Sequence, residues 1–291
     1  MNLSRKFLLS ILLNITITLV EILGGLLSGS LALISDAIHN LSDVLSLIIG
    51  YLGERISKKP ADERHTFGFK RSEILAALLN AVFLFAVAIW IVIEIVKRFT
   101  HPEPIELGVM SVAAVIGLLG NFFSILMLHS HKEHSINVKA AYLHLFYDTL
   151  SSVLVVIAVP VIYFTGFVYF DPIISFLIVI LMLKSAYELL KNTVHILMMG
   201  VPEGFDINEI AREIKKIDGV DDIHSIHVWS VDSKEIFLSC HLVASSSDTD
   251  RILKRVQDTL KDRFGITHTT IQIEKEKICD SGLICEDHAG G

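Results

Sequence analysis

The sequence predicts a membrane protein with six transmembrane helices followed by a globular α+β domain. The first observation is composition, because 52% of the 291 residues are hydrophobic and the mean hydropathy is +0.58. The second is the length of the apolar stretches, several of which reach the roughly 20 residues that cross a bilayer. The third is the change beyond residue 200, where charged residues occur at the density of a soluble domain.

Five apolar stretches are long enough to span a membrane, and a sixth is interrupted by charged residues. The first has a short basic start, but it exceeds the apolar region of a signal peptide and lacks a clear cleavage site, so an uncleaved helix is expected. We expect a transmembrane domain at 1–200, a soluble domain at 201–276 and a flexible tail at 277–291. The six stretches are 7–28, 31–53, 72–96, 107–128, 149–168 and 171–190.

Positive charge predicts the orientation of these helices, because cytoplasmic loops carry an excess of Lys and Arg. The segment between the second and third helices, "GERISKKPADERHTFGFKRSE", is rich in both, whereas the loop between the fifth and sixth helices, "TGFVYFDP", contains neither. Both termini are therefore expected in the cytoplasm. The net charge of −7 argues against a nucleic-acid partner, since binding to phosphates needs a basic surface.

The C-terminal segment alternates between helical and extended patterns. Residues 206–217 have apolar residues at helical spacing, and Asp206 precedes them as a cap. Residues 221–231 and 235–244 alternate as strands do, residues 248–264 form an amphipathic helix, and 267–276 alternate again. The order αββαβ predicts one sheet with a helical layer on one face.

Ionisable residues interrupt the second apolar stretch at "SDAIHNLSDVLS", residues 35–46. His39 and Asp43 are four residues apart and therefore share one face of a helix. The same spacing recurs at His144 and Asp148 in "AAYLHLFYDTLSSV". An Asp near the centre of a span costs about 2.5–3.5 kcal/mol on insertion scales, so a compensating cation is expected. Two imidazoles and two carboxylates form a ligand set that suits tetrahedral Zn²⁺.

An alternative interpretation of these residues is structural, because buried polar groups also hold membrane helices together. Asp36 lies seven residues before Asp43 and could support the site or line the path to it. Polar contacts between helices, rather than metal binding, are expected for Asn14, Glu21, Asn80 and Asn121.

Taken together, these motifs resemble the cation diffusion facilitator family of divalent-metal/proton antiporters. The resemblance covers nearly the whole chain and rests on "SDAIHNLSD", "RHTFGFKRSEILAALLNA", "SINVKAAYLHLFYDTLSS", "DDIHSIHVWSV" and "HTTIQIE", in that order. It implies six transmembrane helices, a cytoplasmic ferredoxin-like domain, a homodimer and export of zinc or a related ion from the cytosol. The short loops and the length resemble bacterial members, which implies the cell (inner) membrane.

The resemblance also implies roles for particular residues. The transport site of the family falls on His39, Asp43, His144 and Asp148, and the two histidines favour zinc, with cadmium and cobalt as further cargo. Members with Asp in place of the first His often carry manganese or iron.

Two cytoplasmic metal sites follow from the same resemblance. One is a loop site at Asp62 and His65, where Phe69 replaces the second histidine of some members. The other comprises His224 and His241 on adjacent strands, with Glu274 and nearby His268 as candidates to complete it. His227 is expected to face away from the neighbours of His224. Trp229 is expected to be a packing residue rather than a metal ligand.

Two further groups of possible metal ligands lie outside these sites. They are His129, His131 and His134 in the loop before the fifth helix, and Cys279, Cys285 and His288 in the tail. The cysteines number three, with Cys240 as the third. An odd number on the cytoplasmic side does not indicate a disulfide framework.

The expected function is efflux of Zn²⁺ in exchange for protons, without ATP, since the sequence has no P-loop pattern. Four alternatives remain open. They are efflux of Mn²⁺, Fe²⁺ or a broad range of metals, a membrane metal sensor that does not transport, a passive channel and an intramembrane metalloprotease. The last is disfavoured because H-E-x-x-H is absent and no Glu lies beside His39 or His144 to act as a base. We therefore expect that the protein is not an enzyme.

Overall fold

The computed structural model describes residues 3–129, 136–245, 248–277 and residue 283. The chain divides into two compact units, one of residues 1–51 and 77–190 and the other of residues 52–76 and 191–291. The basic segment 52–76 therefore belongs to the same compact unit as residues 191–291.

Within the residues that the structure describes, six helices form the N-terminal part of the chain, as predicted. Helices α2 to α6 are long and apolar enough to cross a membrane, and Leu12–Ser28 of α1 is a shorter apolar helix. The protein is therefore a multi-pass membrane protein. The helices are α1 (Leu3–Ser28), α2 (Leu31–Ser57), α3 (Ser72–Thr100), α4 (Leu107–His129), α5 (Ile136–Thr165) and α6 (Phe170–Leu197).

Helix α5 begins at Ile136, well before the predicted start at 149. The polar residues around His144 and Asp148 lower the local hydropathy, but they do not interrupt the backbone hydrogen bonds that define a helix. The charged residues therefore lie inside a continuous helix. Charged side chains at this position raise the free energy of membrane insertion unless another group or ion neutralises their charge.

Small residues and buried carboxylates hold the first unit together. A Cβ built at Gly24 of α1 would overlap the Ala113 side chain of α4, so glycine permits the close approach of these two helices. The N-terminus of α2 is capped by Asp171 of α6, whose carboxylate accepts hydrogen bonds from the Leu31 N–H at 2.7 Å and the Ser30 hydroxyl at 2.5 Å. A carboxylate at a helix N-terminus also interacts favourably with the helix dipole.

The C-terminal residues form the predicted αββαβ arrangement. Strand β2 lies in the centre, antiparallel to β1 and parallel to β3. The helices cover one sheet face, where Ile214 and Leu260 are fully buried with Leu238. The elements are α7 (Ile207–Lys215), β1 (Asp222–Ser230), β2 (Ile236–Val243), α8 (Thr249–Phe264) and β3 (His268–Glu274).

A β-bulge interrupts β1 between His224 and His227. Ser225 lies within the bulge and has a positive φ of 51°, a conformation that non-glycine residues rarely adopt. Because His224 pairs with His241 and His227 pairs with Ser239, the two β1 histidines lie on the same sheet face. The expectation that His227 faces away is therefore wrong, since the bulge reverses the alternation.

Candidate metal centres

The first cluster of possible metal ligands lies between α2 and α5. His39, Asp43 and Asp148 each offer a donor atom, and these atoms all lie within 4.8 Å of one another. The Nε2 atom of His39 is 4.0 Å from Oδ2 of Asp43 and 3.5 Å from Oδ1 of Asp148. One imidazole and two carboxylates converge from two membrane helices on one point.

The helical period accounts for half of this arrangement, because residues four apart on α2 lie one above the other. The other half depends on α5, which brings Asp148 to the same point with its side chain fully buried. His144 lies one turn before Asp148 on α5, but its side chain is outside the described part of the structure.

Asp36 links the same two helices one turn before His39 on α2. Its carboxylate accepts hydrogen bonds from the hydroxyls of Ser151 at 2.5 Å and Ser152 at 2.9 Å. Asp36 is buried and does not belong to the cluster of possible ligands. Its two hydrogen bonds connect α2 to α5 beside the ligand cluster, which is consistent with a supporting role.

Further polar contacts extend from this link. The amide of Asn121 on α4 donates a 3.0 Å hydrogen bond to Ser152. The amide of Asn40 on α2 donates a 2.8 Å hydrogen bond to the buried carboxylate of Glu21 on α1. Glu21 and Asn121 thus make the interhelical contacts predicted from the sequence. The contacts of Asn40, Ser151 and Ser152 were not predicted, although these residues lie on the same short polar stretches as the ligands.

A cavity of about 430 Å³ adjoins the first cluster. His39, Asp43 and Asp148 contribute to its wall, together with Tyr147 and, further along α6, Glu188. Lys184, also on α6, contributes a positive charge to the same wall. The cavity therefore places polar groups of both charge signs next to the cluster.

The second cluster lies on the helix-free face of the C-terminal sheet. Its donor atoms come from His224, His241 and Glu274, again within 4.8 Å of one another. The Glu274 carboxylate is 2.8 Å from Nδ1 of His241 and 3.4 Å from Nε2 of His224. Within the described residues neither ring nitrogen of buried His224 has a hydrogen-bond partner. Buried polar groups in folded proteins rarely lack such a partner.

Strand register explains which residues meet here. His224 is directly opposite His241, and Glu274 is opposite Val243, two residues along β2 on the same face. His268 is at the other end of β3, opposite Phe237, and its ring lies 4.2 Å from the Phe237 ring. At about 3.3 Å per residue it is roughly 20 Å from Glu274. Its predicted place beside His224 is therefore wrong.

The loop pair Asp62 and His65 forms a compact turn. The carboxylate of Asp62 accepts hydrogen bonds from the backbone N–H groups of His65 at 2.6 Å and Arg64 at 2.8 Å. These backbone bonds, chiefly that from His65, lower the pKa of Asp62. His65 Nδ1 is 3.1 Å from the same carboxylate, so the pair offers two ligands on an exposed turn.

Six predicted ligands fall outside the part of the chain that the structure describes. His131, His134, Cys279, Cys285 and His288 lie outside the described residues, as does the side chain of His129. The third cysteine, Cys240, is buried in the sheet core. Burial raises the pKa of its thiol to about 12, so Cys240 is a packing residue and not a thiolate ligand.

Comparisons with known proteins match both parts of the chain. The family model of the cation efflux transmembrane domain matches residues 7–198, and that of the cytoplasmic domain of cation efflux proteins matches residues 202–276. A cadmium, cobalt and zinc/H(+)-K(+) antiporter of Bacillus subtilis (strain 168) is 37% identical over 291 residues, covering 97% of this chain and 93% of the relative.

Two further relatives show comparable similarity. Zinc transporter ZitB of Shigella flexneri is 42% identical over 275 residues, covering 94% of this chain and 88% of the relative. The metal cation efflux system protein CzcD of Cupriavidus metallidurans is 40% identical over 272 residues, covering 93% of this chain and 86% of the relative. The similarity therefore extends over nearly the full length of the chain and of each relative.

Proposed function

The chain belongs to the cation efflux family, the cation diffusion facilitators, and from this premise we propose that it exports Zn²⁺ from the cytosol in exchange for protons. The resemblance read from the sequence motifs is thereby confirmed. Relatives named as carriers of zinc, cadmium and cobalt support these ions as the cargo. The family is one of transporters, and we propose no catalytic reaction for the chain.

One observation carries the proposal: the convergence of His39, Asp43 and Asp148 within the membrane helices. Ligands at about 2.0 Å from a tetrahedral zinc ion lie roughly 3.3 Å apart. The separations of 3.5 Å and 4.0 Å between His39 and the two carboxylates are close to that value. We assign His144, one turn from Asp148 on α5, as the fourth ligand of the transport site.

Exchange with protons follows from the chemistry of these ligands. Zinc binds only deprotonated imidazole and carboxylate groups, so its binding releases protons. When the helices expose the site to the opposite side, protons compete with the ion for the same atoms and displace it. The change between the two exposures is an equilibrium between conformations, which the bound ion shifts by its different affinity for each.

The C-terminal cluster supports a second, regulatory site. His224, His241 and Glu274 offer two imidazoles and one carboxylate, a donor set that fits zinc with one position left for water or another ligand. We propose that this domain dimerises, in agreement with the family resemblance, and that cytosolic zinc stabilises its structure. The turn formed by Asp62 and His65 would hold a metal weakly, because it supplies only two ligands.

The orientation is part of the same proposal. The basic segment 53–73 and the "positive-inside" rule support cytoplasmic termini in the cell (inner) membrane of a bacterium. In this orientation the C-terminal cluster faces the cytosol, from which the cargo is removed.

Uptake into inverted membrane vesicles tests the proposed function. Zinc, cadmium, cobalt, manganese and iron are supplied in parallel with and without an imposed pH gradient. We expect zinc to accumulate only with the gradient, with cadmium and cobalt as competitors. Binding in stoichiometric amounts without accumulation would indicate a sensor, and uptake independent of the gradient would indicate a channel. Stronger uptake of manganese or iron than of zinc would contradict the proposed cargo.

A further inference from the structure

A cavity of about 610 Å³ lies within the second unit, which comprises residues 52–76 and 191–291. Its wall is formed by the turn at residues 64–69, by Arg71 and by the first turn of α3. Met199, Trp229 of β1 and Val231, which follows β1, complete the wall. None of the residues of the transport site or the C-terminal cluster lines it, and only His65 is shared with the proposed loop site.

The cavity is basic on one side. Arg64 and Arg71 line it, and within the described residues neither guanidinium has a carboxylate partner. The neighbouring Lys70 is instead paired with Glu235. Glu73 accepts a 2.8 Å hydrogen bond from the Ser233 hydroxyl, so Glu73 and Glu235 both already have partners. Two guanidinium groups therefore remain available to an anionic ligand, and Arg is well suited to phosphate.

The rest of the wall is apolar and exposed. Phe67 is 57% exposed, Leu75 is 50% exposed and Met199 is 58% exposed. Leu75 lies in the first turn of α3, a helix long and apolar enough to cross a membrane. The cavity therefore adjoins the level at which a membrane span meets lipid headgroups. A small soluble anion would satisfy the arginines but would leave this apolar surface in contact with water.

We infer that this cavity binds one anionic phospholipid, with its phosphate between Arg64 and Arg71 and an acyl chain along Phe67 and Leu75. The apolar part and the cationic part of the wall match the two parts of such a molecule. Each basic residue near an anionic membrane surface contributes roughly fivefold in affinity. The two arginines together therefore account for about a 30-fold preference over a zwitterionic lipid.

Tryptophan fluorescence tests this inference in the full chain. Trp90 and Trp229 are the two tryptophans, so Trp90→Phe leaves the cavity residue as the only reporter. The variant is reconstituted with phosphatidylglycerol or phosphatidylcholine brominated on the acyl chains, each over the same series of mole fractions. We expect the brominated phosphatidylglycerol to quench Trp229 half-maximally at a far lower mole fraction than the brominated phosphatidylcholine. Arg64→Gln with Arg71→Gln should remove this preference, and each single variant should reduce it about fivefold.

The matched control is Arg55→Gln with Lys58→Gln, which removes the same charge from exposed positions that do not line the cavity. It should retain the preference. Equal quenching by the two lipids in the parent, or an equal loss in the control, would overturn the inference. Inorganic phosphate is added separately to the protein in detergent. A saturable change in Trp229 fluorescence with phosphate alone would assign the site to a soluble anion and contradict the lipid assignment.

Discussion

The Ser151 hydroxyl on α5 donates a 2.5 Å hydrogen bond to the carboxylate of Asp36 on α2. This bond joins the two helices that carry the proposed zinc ligands, one turn from His39 on α2 and from Asp148 on α5. Ser152 donates a second bond, 2.9 Å long, to the same carboxylate. Asp36 therefore sets the separation of α2 and α5, on which the distances between the ligands depend.

Asp36→Asn tests this positioning role. The amide is nearly isosteric but can accept at only one of its two heavy atoms, so one serine bond is lost. We expect zinc affinity to fall about 10- to 100-fold, as when partners of metal ligands are removed, with the number of bound ions unchanged. Calorimetric titration of the purified full chain measures both quantities. An unchanged affinity, together with an unchanged thermal transition, would contradict the role assigned to Asp36.

Asp43→Ala tests the ligand assignment. The substitution removes one of the carboxylates that converge on His39, and we expect zinc-driven proton flux in proteoliposomes to disappear while the protein remains folded. Glu94→Gln is the control, because Glu94 is an acidic residue of α3 paired with Lys97. His144→Ala should behave as Asp43→Ala does. Normal flux in either ligand variant would remove that residue from the transport site.

His39→Asp tests the origin of metal selectivity. Replacing an imidazole by a carboxylate makes the site harder, and harder sites favour manganese relative to zinc. We expect the ratio of manganese to zinc transport to rise at least tenfold in a competition assay. The parent and the Glu94→Gln variant provide the reference ratios. If the ratio does not change, the imidazole of His39 is not what discriminates between the metals.

Glu274→Gln tests the C-terminal site, with His268→Gln as a matched control on the same strand. Glu274 contacts both His224 and His241, whereas His268 lies at the opposite end of β3. We expect zinc to protect the amides of 222–230 and 236–243 from hydrogen exchange in the parent and in His268→Gln. Protection should be largely lost in Glu274→Gln. Loss in both variants, or in neither, would contradict the assigned ligand set.

Acid should destabilise the contact between α7 and the start of β1. Partial burial raises the pKa of Asp222, but hydrogen bonds from Lys215, the Ile223 N–H and Lys277 outweigh it and lower the pKa to about 2. A depressed carboxylate pKa stabilises the fold above its unfolded value of about 4, and this contribution is lost as the pH falls towards 2.

For a side chain this accessible to solvent the effect is on the order of 1 kcal/mol. Hydrogen exchange of residues 207–230 between pH 5 and pH 2.5 measures it. Asp222→Asn should lack this component of the pH dependence. The same pH dependence in parent and variant would exclude Asp222 as its source.

Local patterns in the sequence were sufficient for much of the fold. Hydropathy located six helices, and alternation located the three strands with their two covering helices, since each pattern reflects one face of one element. The helical spacing of His39 and Asp43 likewise placed both side chains on one face of α2. Helix ends were less well predicted, because polar ligands within α5 lowered its hydropathy without ending the helix.

The sequence by itself determined the set of elements, their order and the pairs of ligands that share a helix face, because these depend on neighbours within one or two turns. Only the tertiary structure decided that Asp36 contacts serines on α5, that Glu274 and not His268 meets His224, and that a bulge at Ser225 turns His227 to the same face. Each of these depends on the register or packing between elements distant along the chain. Residues on both elements determine that alignment together, so it cannot be predicted from the periodicity of either segment alone.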